Sequence, residues 1–470
     1  MRKILWALLF VSVAACGDDD STGSTASTSG SGSTTTSASS GAPTTSSATG
    51  GGAGSTGQGG DGGEGGGGNG AGASGATGTG GSGGDGGAGG SAGERRWVGT
   101  WTTGPQLTET NNNPPAPGLA NNTLRQVVYT SIGGSNVRLR LSNEFGDGPV
   151  TMQSVHIADS TTDDGIDTGT DHALTFAGAD SVTIPVGEAV FSDPIDYSLK
   201  PISKLAVTIR FGNVPNGITG HPGSRTTSYI QTGDGVSSAA LSSPVKTDHW
   251  YYITGLDVMA DSTAAAIVIL GDSITDGRGS VTNGNTRWPD FLSRRLRANP
   301  GTENVAVLNL GIGGNNVLSG GLGPTAKARF QRDVLDQRGA RWLVIFEGVN
   351  DIGTSAAGSG PTVADGLISA FGEFIDKAHD KGMLVYGVPI LPFNGHDYYT
   401  TEREAARQEV NAWIRTSGEY DAVIDLDAAV RDPNDPSKLQ DSLDFDDWLH
   451  LNPTGLETMA KAVDLSLFTK

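Results

Sequence analysis

Ser273 stands in Gly271-Asp272-Ser273-Ile274-Thr275-Asp276-Gly277, directly after an apolar run over 264–270. A serine on a glycine turn, where a strand gives way to a helix start, exposes its hydroxyl and lies at the positive end of the helix. To act as a nucleophile it needs a base that works near neutral pH, and imidazole is that base. His450 lies in Asp447-Trp448-Leu449-His450-Leu451-Asn452-Pro453, three residues after a carboxylate that can hold its other ring nitrogen in the right tautomer. Of the other histidines after Ser273, His379 ends an apolar-striped helix, where it complements the dipole, and His396 lies in a loop as a rival base. Asn309-Leu310-Gly311-Ile312-Gly313-Gly314-Asn315-Asn316 offers backbone N–H groups that no side chain shields, and Glu347-Gly348-Val349-Asn350-Asp351 offers an asparagine amide. Both are donor types that stabilise an oxyanion. Taken singly, each block has a plain structural use as a turn or a helix cap. Together, nucleophile, base, carboxylate and oxyanion donors describe acyl transfer.

The elements that must position these residues follow from periodicity. Short apolar runs at 264–270, 305–310, 342–346, 383–388 and 423–426 read as buried strands. Helical stripes lie between them: Trp288, Phe291, Leu292 and Leu296; then Val363, Leu367, Phe371, Phe374, Ile375 and Ala378; then 404–414 and 456–468. Strands alternating with helices predict a three-layer α/β/α, doubly wound parallel sheet, whose sites lie at the carboxyl ends of the strands. Every block above follows a strand or precedes the last helix. Upstream, over 95–260, short alternating runs such as Val137-Arg138-Leu139-Arg140-Leu141 are separated by turn residues, which predicts an all-β sandwich domain.

The four blocks as a set resemble the GDSL, or SGNH, hydrolase superfamily over residues 261–470. Gly271-Asp272-Ser273-Ile274 matches its first block with Ile for Leu, Gly314 the second with Gly311 and Gly313 close by, Gly348-Val349-Asn350-Asp351 the third, and Asp447 with His450 the last. The resemblance implies a serine esterase with Ser273, Asp447 and His450 as catalytic residues. It implies an oxyanion hole made by the Ser273 and Gly314 N–H groups and the Asn350 side chain, and no metal or cofactor. In this superfamily a backbone carbonyl sometimes helps to orient the histidine beside the carboxylate. Leu124-Arg125-Gln126-Val127-Val128 and Arg138-Leu139-Arg140-Leu141-Ser142-Asn143 resemble the β-domain that precedes the hydrolase in a bacterial subgroup of arylesterases and acylhydrolases encoded near xylanases. The implied substrates are short-chain, acetyl esters, with acetylated polysaccharide as a candidate carrier. An O-acyltransferase, and a carbohydrate- or surface-polymer-binding protein with an inactive hydrolase domain, are the alternatives. A further reading makes the β-domain a packing partner that shapes the cleft.

Composition sets the frame. The chain has 470 residues, 31 Lys+Arg against 51 Asp+Glu, and one Cys. That excludes a disulfide framework and a Cys-based zinc site, and argues against nucleic acid as a partner. Residues 1–15 have a basic start, an apolar stretch and small residues before Cys16, as in a signal peptide. Val13-Ala14-Ala15-Cys16 resembles a lipoprotein lipobox, which implies lipidation of Cys16, a membrane as partner and an extracytoplasmic, cell-envelope location. The Gly/Ser/Thr-rich stretch 17–93 carries no Val, Ile, Leu, Met or aromatic side chain and reads as a disordered tether. The expected organisation is therefore 1–15 signal peptide, 16–94 lipidated Cys and linker, 95–260 β-sandwich and 261–470 hydrolase.

Overall fold

The structure, a computed structural model, describes residues 94–469. The expected signal peptide, Cys16 and the tether lie outside the described residues. From Arg95 to Asp261 the chain is built of β-strands and two short 3-10 turns. One antiparallel sheet runs in the order Arg95–Thr102, Ile253–Asp261, Gly134–Ser142, Ala189–Phe191. A second has Asn122–Thr130, Ser203–Phe211 and Val150–Asp159 side by side at its centre. Alternation works as expected on Gly134–Ser142: Val137, Leu139 and Leu141 are buried, while Arg138 faces outward to pair with Asp257 on the neighbouring strand at 2.8 Å. A third, small sheet joins Trp250–Tyr251, Thr219–His221 and Gln106–Leu107.

The parallel sheet follows without a break. Its five strands, taken in chain order, are Ala265–Gly271, Val305–Gly311, Ala340–Phe346, Leu384–Gly387 and Ala422–Val423, and they lie in the spatial order 2-1-3-4-5. The strand order reverses between the first and third strands, which opens a crevice at their carboxyl ends. Helix Trp288–Ala298 packs with Pro453–Ala462, and Gly360–Asp380 packs with Thr401–Thr416. The buried stripe of Gly360–Asp380 is the expected one, with Leu367, Phe371, Phe374, Ile375 and Ala378 against the sheet.

Two sequence expectations contract. The fifth strand spans only Ala422–Val423, because Asp425 caps a new helix, Leu426–Val430, by accepting from the Ala428 N–H. The helix expected over 456–468 runs from Pro453 to Ala462, after which Asp464 caps a separate 3-10 turn, Leu465–Phe468. The β-rich and α/β parts share one hydrophobic core and fall in one packing unit. Arg95–Thr102 lies against Val305–Gly311. The Gly99 N–H donates to the Arg338 carbonyl at 2.9 Å, and the Val307 N–H donates to Ser131 Oγ at 3.2 Å.

Phe330 and Phe374 stack face to face at 4.3 Å, both buried. Phe374→Ala should cost about 3–5 kcal/mol, read from the shift in a urea unfolding midpoint.

Candidate active site

Strand Ala265–Gly271 is apolar and buried throughout, and its last residue must be glycine, since a Cβ there would lie 2.3 Å from Thr275 Oγ1. The chain then makes a single helical turn, Ser273–Asp276, capped by Asp272, whose side chain accepts from the Ile274 N–H at 2.9 Å. Gly277, at φ 101°, closes it. Ser273 begins this turn and points at His450: Oγ lies 2.7 Å from Nε2. The other ring nitrogen, Nδ1, lies 2.7 Å from Asp447 Oδ2. Asp447 Oδ1 accepts the backbone N–H groups of His450 at 2.8 Å and Leu449 at 3.1 Å. Burial pushes the Asp447 carboxyl up, but the His450 hydrogen bond, the His450 charge and these backbone donors outweigh it and hold Asp447 well below the usual carboxylate range. Asn452 anchors the segment by capping helix Pro453–Ala462 and donating to the Ser442 and Asp444 carbonyls.

The backbone N–H of Ser273, that of Gly314 and one hydrogen of the Asn350 amide have no hydrogen-bond partner among the described residues. The other Asn350 Nδ2 hydrogen goes to the Asn315 carbonyl at 2.9 Å, next to Gly314. Tyr398 Oη donates to Asn350 Oδ1 at 3.1 Å, which fixes which way the amide faces. Gly314 sits at φ 66°, a left-handed conformation that favours glycine. The Gly311 N–H is taken by Asn309 Oδ1, whereas Gly313 and Gly314 both keep their donors. Asp351 pins the same loop by accepting the Val317 and Leu318 N–H groups at 2.8 and 2.9 Å.

Beneath these groups lies Arg329, fully buried. Its guanidinium donates to the carbonyls of Gly271 and Leu310, to Asn315 Oδ1, and to the carboxylates of Asp333 and Glu347. Burial, reinforced by Asp272 nearby, raises Glu347 well above the ordinary carboxylate range. Burial likewise pushes Asp272 up to about 7.

The structure therefore brings Ser273, His450 and Asp447 into one relay, and places Asn350 beside the Gly314–Asn315 backbone. His379 is remote from the relay by its bonding, with Nε2 on Asp421 at 2.9 Å. His396 packs edge-on against Tyr398 and accepts the Tyr398 N–H on Nδ1, with no bond to Ser273. Burial lowers its pKa, and the charges of Asp447 and His450 reach it. Sequence reasoning missed Arg329, Tyr398 and Glu347. The only local signal for Arg329 was Asp333 four residues on, the spacing of a helical ion pair.

A hydroxyl hydrogen-bonded to imidazole, with carboxylate support and converging N–H donors at a strand-order reversal, defines a hydrolase that attacks a carbonyl group. Residues 269–457 match the model of the GDSL-like lipase/acylhydrolase family, and that part of the chain is a domain of this family. Among solved structures, a catalytic mutant of an acetylxylan esterase from Geobacillus stearothermophilus is 20% identical (42% of this chain and 91% of that one covered, TM-score 0.33). A lipase/acylhydrolase from Enterococcus faecalis is 21% identical (42% and 92%, TM-score 0.32). A GDSL-like lipase from Bacteroides thetaiotaomicron is 19% identical (43% and 87%, TM-score 0.31). Comparison with curated proteins gives no match.

Two outcomes follow from the buried charges. Arg329→Met strands the Glu347 and Asp333 carboxyls and should cost about 3–5 kcal/mol in a urea titration. For Asp272 the folded-state pKa of about 7 exceeds the ordinary 3.8, so between those values the folded protein holds a proton that the unfolded chain has released. Its contribution to stability is thus greatest below that window and falls as pH rises through it. Asp272→Asn should flatten the decline in urea midpoint between pH 5 and pH 8.

Proposed function

We propose that the protein is a serine esterase that cleaves short-chain carboxylic esters through an acyl-enzyme. The observation that carries this reading is the relay of two 2.7 Å contacts, Ser273 Oγ to His450 Nε2 and His450 Nδ1 to Asp447 Oδ2, within an acylhydrolase-family domain. Ser273 Oγ attacks the ester carbonyl carbon while its proton passes to Nε2. Asp447, ionised, holds the Nδ1–H and stabilises the imidazolium. The carbonyl oxygen gains the negative charge and is met by the Ser273 and Gly314 N–H groups and the free Asn350 amide hydrogen. Collapse breaks the bond to the alcohol, which takes the proton from Nε2. Water then repeats the sequence on the acyl-serine, with its proton going to Nε2, and releases the acid and Ser273.

The preference for a small acyl group draws its support from the sequence resemblance; beside the donor loop, half-exposed Leu322 stands against Gly314. A cleft of about 300 Å³ lined by Thr161, Asp163, Lys204, Tyr229, Asn283 and Asn285 among others has none of the relay residues in its lining, so the sugar-borne ester rests on the sequence resemblance and this cleft adds only a polar surface in the same body. Hydroxyl and amide side chains match the hydrogen-bonding groups of a polyol. Asn283 and Asn285 belong to the loop that leaves the Ser273 turn. The proposal includes acetyl groups on a polysaccharide as substrate, and export with a lipid anchor at Cys16, supported by the sequence pattern of residues 1–16.

Ser273→Ala should abolish p-nitrophenyl acetate hydrolysis, and retention of full activity would refute the reading. Asn350→Ala should lower kcat by about 10²–10³. His450→Ala should lose far more activity than His396→Ala, and equal losses would reopen the choice of base. Acetate release from acetylated polysaccharide, compared across acyl lengths on p-nitrophenyl esters, tests the substrate class.

A further inference from the structure

We infer that His221, from the β-rich part of the chain, is a positioning residue for the turn that carries Ser273; the inference rests on the serine-esterase reading. His221 Nε2 lies 2.8 Å from Asp276 Oδ1, with side-chain exposures of 4% and 3%. Its Nδ1 lies 2.9 Å from the Gly104 carbonyl, so both ring nitrogens are engaged. The ring stacks on Trp250, which is itself fixed by a hydrogen bond from Nε1 to the Val127 carbonyl and by an edge contact with Trp101. Rotation of the imidazole is therefore blocked by partners on three sides.

Asp276 is the last residue of the Ser273 turn, and its N–H donates to the Asp272 carbonyl at 2.9 Å. A single helical turn does not hold its shape alone, because its nucleation cost exceeds the return from so few hydrogen bonds. The Asp276 carboxylate supplies an outside hold. Its Oδ2 has no hydrogen-bond partner, and Arg225 Nη2 stands 3.6 Å away, so His221 is its hydrogen-bonded partner in the structure. Gly223 closes over the same carboxylate, where a Cβ would lie 1.8 Å from Oδ2. The β-rich part thus grips the far end of the turn whose near end must present Oγ to His450. Misplacement of a reacting group by about 1 Å can cost 10²-fold in rate.

The test uses the full chain with p-nitrophenyl acetate. His221→Asn keeps a donor at the reach of Nδ1 and loses the one facing Asp276, whereas His221→Gln extends a donor toward Asp276. For His221→Asn, kcat should fall about 10–100-fold with KM within about threefold of wild type. Labelling of Ser273 by a fluorophosphonate should slow in step with kcat, and His221→Gln should recover most of the loss. A kcat for His221→Asn within about twofold of wild type, or equal losses in both variants, overturns the inference. Should His221→Asn fail to fold, Asp276→Ala decides: the same loss of kcat at unchanged KM supports the inference, and wild-type kcat overturns it. Full activity in Ser273→Ala would instead bring down the esterase reading itself.

Discussion

Arg329 carries a positive charge into a region from which water is excluded, and the active site is assembled around the partners that charge requires. A guanidinium has five N–H donors in a fixed fork. Here Nε takes Asn315 Oδ1, Nη1 takes the Leu310 carbonyl and Asp333, and Nη2 takes the Gly271 carbonyl and Glu347. Gly271 ends the strand before Ser273, Leu310 lies near the end of the next, Asn315 adjoins Gly314, and Glu347 begins the block that holds Asn350. One side chain therefore sets the spacing between the nucleophile and both outlying oxyanion donors. A buried ion pair of this kind is weak evidence for net stability; what the structure shows is that this one arrangement satisfies every donor of the guanidinium.

The remaining components are held from outside the parallel sheet. His450 is fixed by the carboxylate of Asp447 and by the Asn452 cap of the last helix, so its position follows from where Pro453–Ala462 packs against Trp288–Ala298. The Ser273 turn is held by Asn309, whose Nδ2 donates to the Thr275 carbonyl at 2.8 Å, and by Trp288, whose indole N–H reaches Thr275 Oγ1. On its far side it is held by the β-rich part through His221. The shared core and the Val307–Ser131 hydrogen bond make that part a wall of the same body, which gives physical content to a packing role for the β-rich region.

The relay residues were legible in the sequence because their chemistry confines them to short motifs after strands, and strand runs announce themselves by composition. Ser273, Asn350, Asp447 and His450 each sit beside a turn residue or cap that fixes the local backbone. Arg329 gave no such signal. In Ala326-Lys327-Ala328-Arg329-Phe330 it lies two residues from Lys327 with no motif around it, and its burial depends on carbonyls from two distant strands. His221 stood in a β region with no motif, and its partner is decided by how two sheets meet. The fifth strand was overextended because an apolar run continues through Ile424 and Leu426, whereas the Asp425 cap turns the backbone into a helix there.

The two carboxylates nearest the chemistry are driven in opposite directions, and the reason is what surrounds each. Asp447 is also taken from water, yet it receives three N–H donors, one from an imidazole that becomes positive during the reaction, and it stays ionised when that charge must be stabilised. Asp272 is buried beside Asp351 and Asp276, with the Ile274 N–H as its donor, and burial pushes it to about 7. An ionised Asp272 next to Ser273 would oppose the negative charge growing on the substrate oxygen. Burial keeps it largely neutral below pH 7, and the Ile274 hydrogen bond that caps the turn does not require it to be charged. Burial, the largest cause, thus raises Asp272, while at Asp447 an imidazole and two backbone N–H groups outweigh burial and lower it, so the environment of each carboxylate and not its residue type sets the direction.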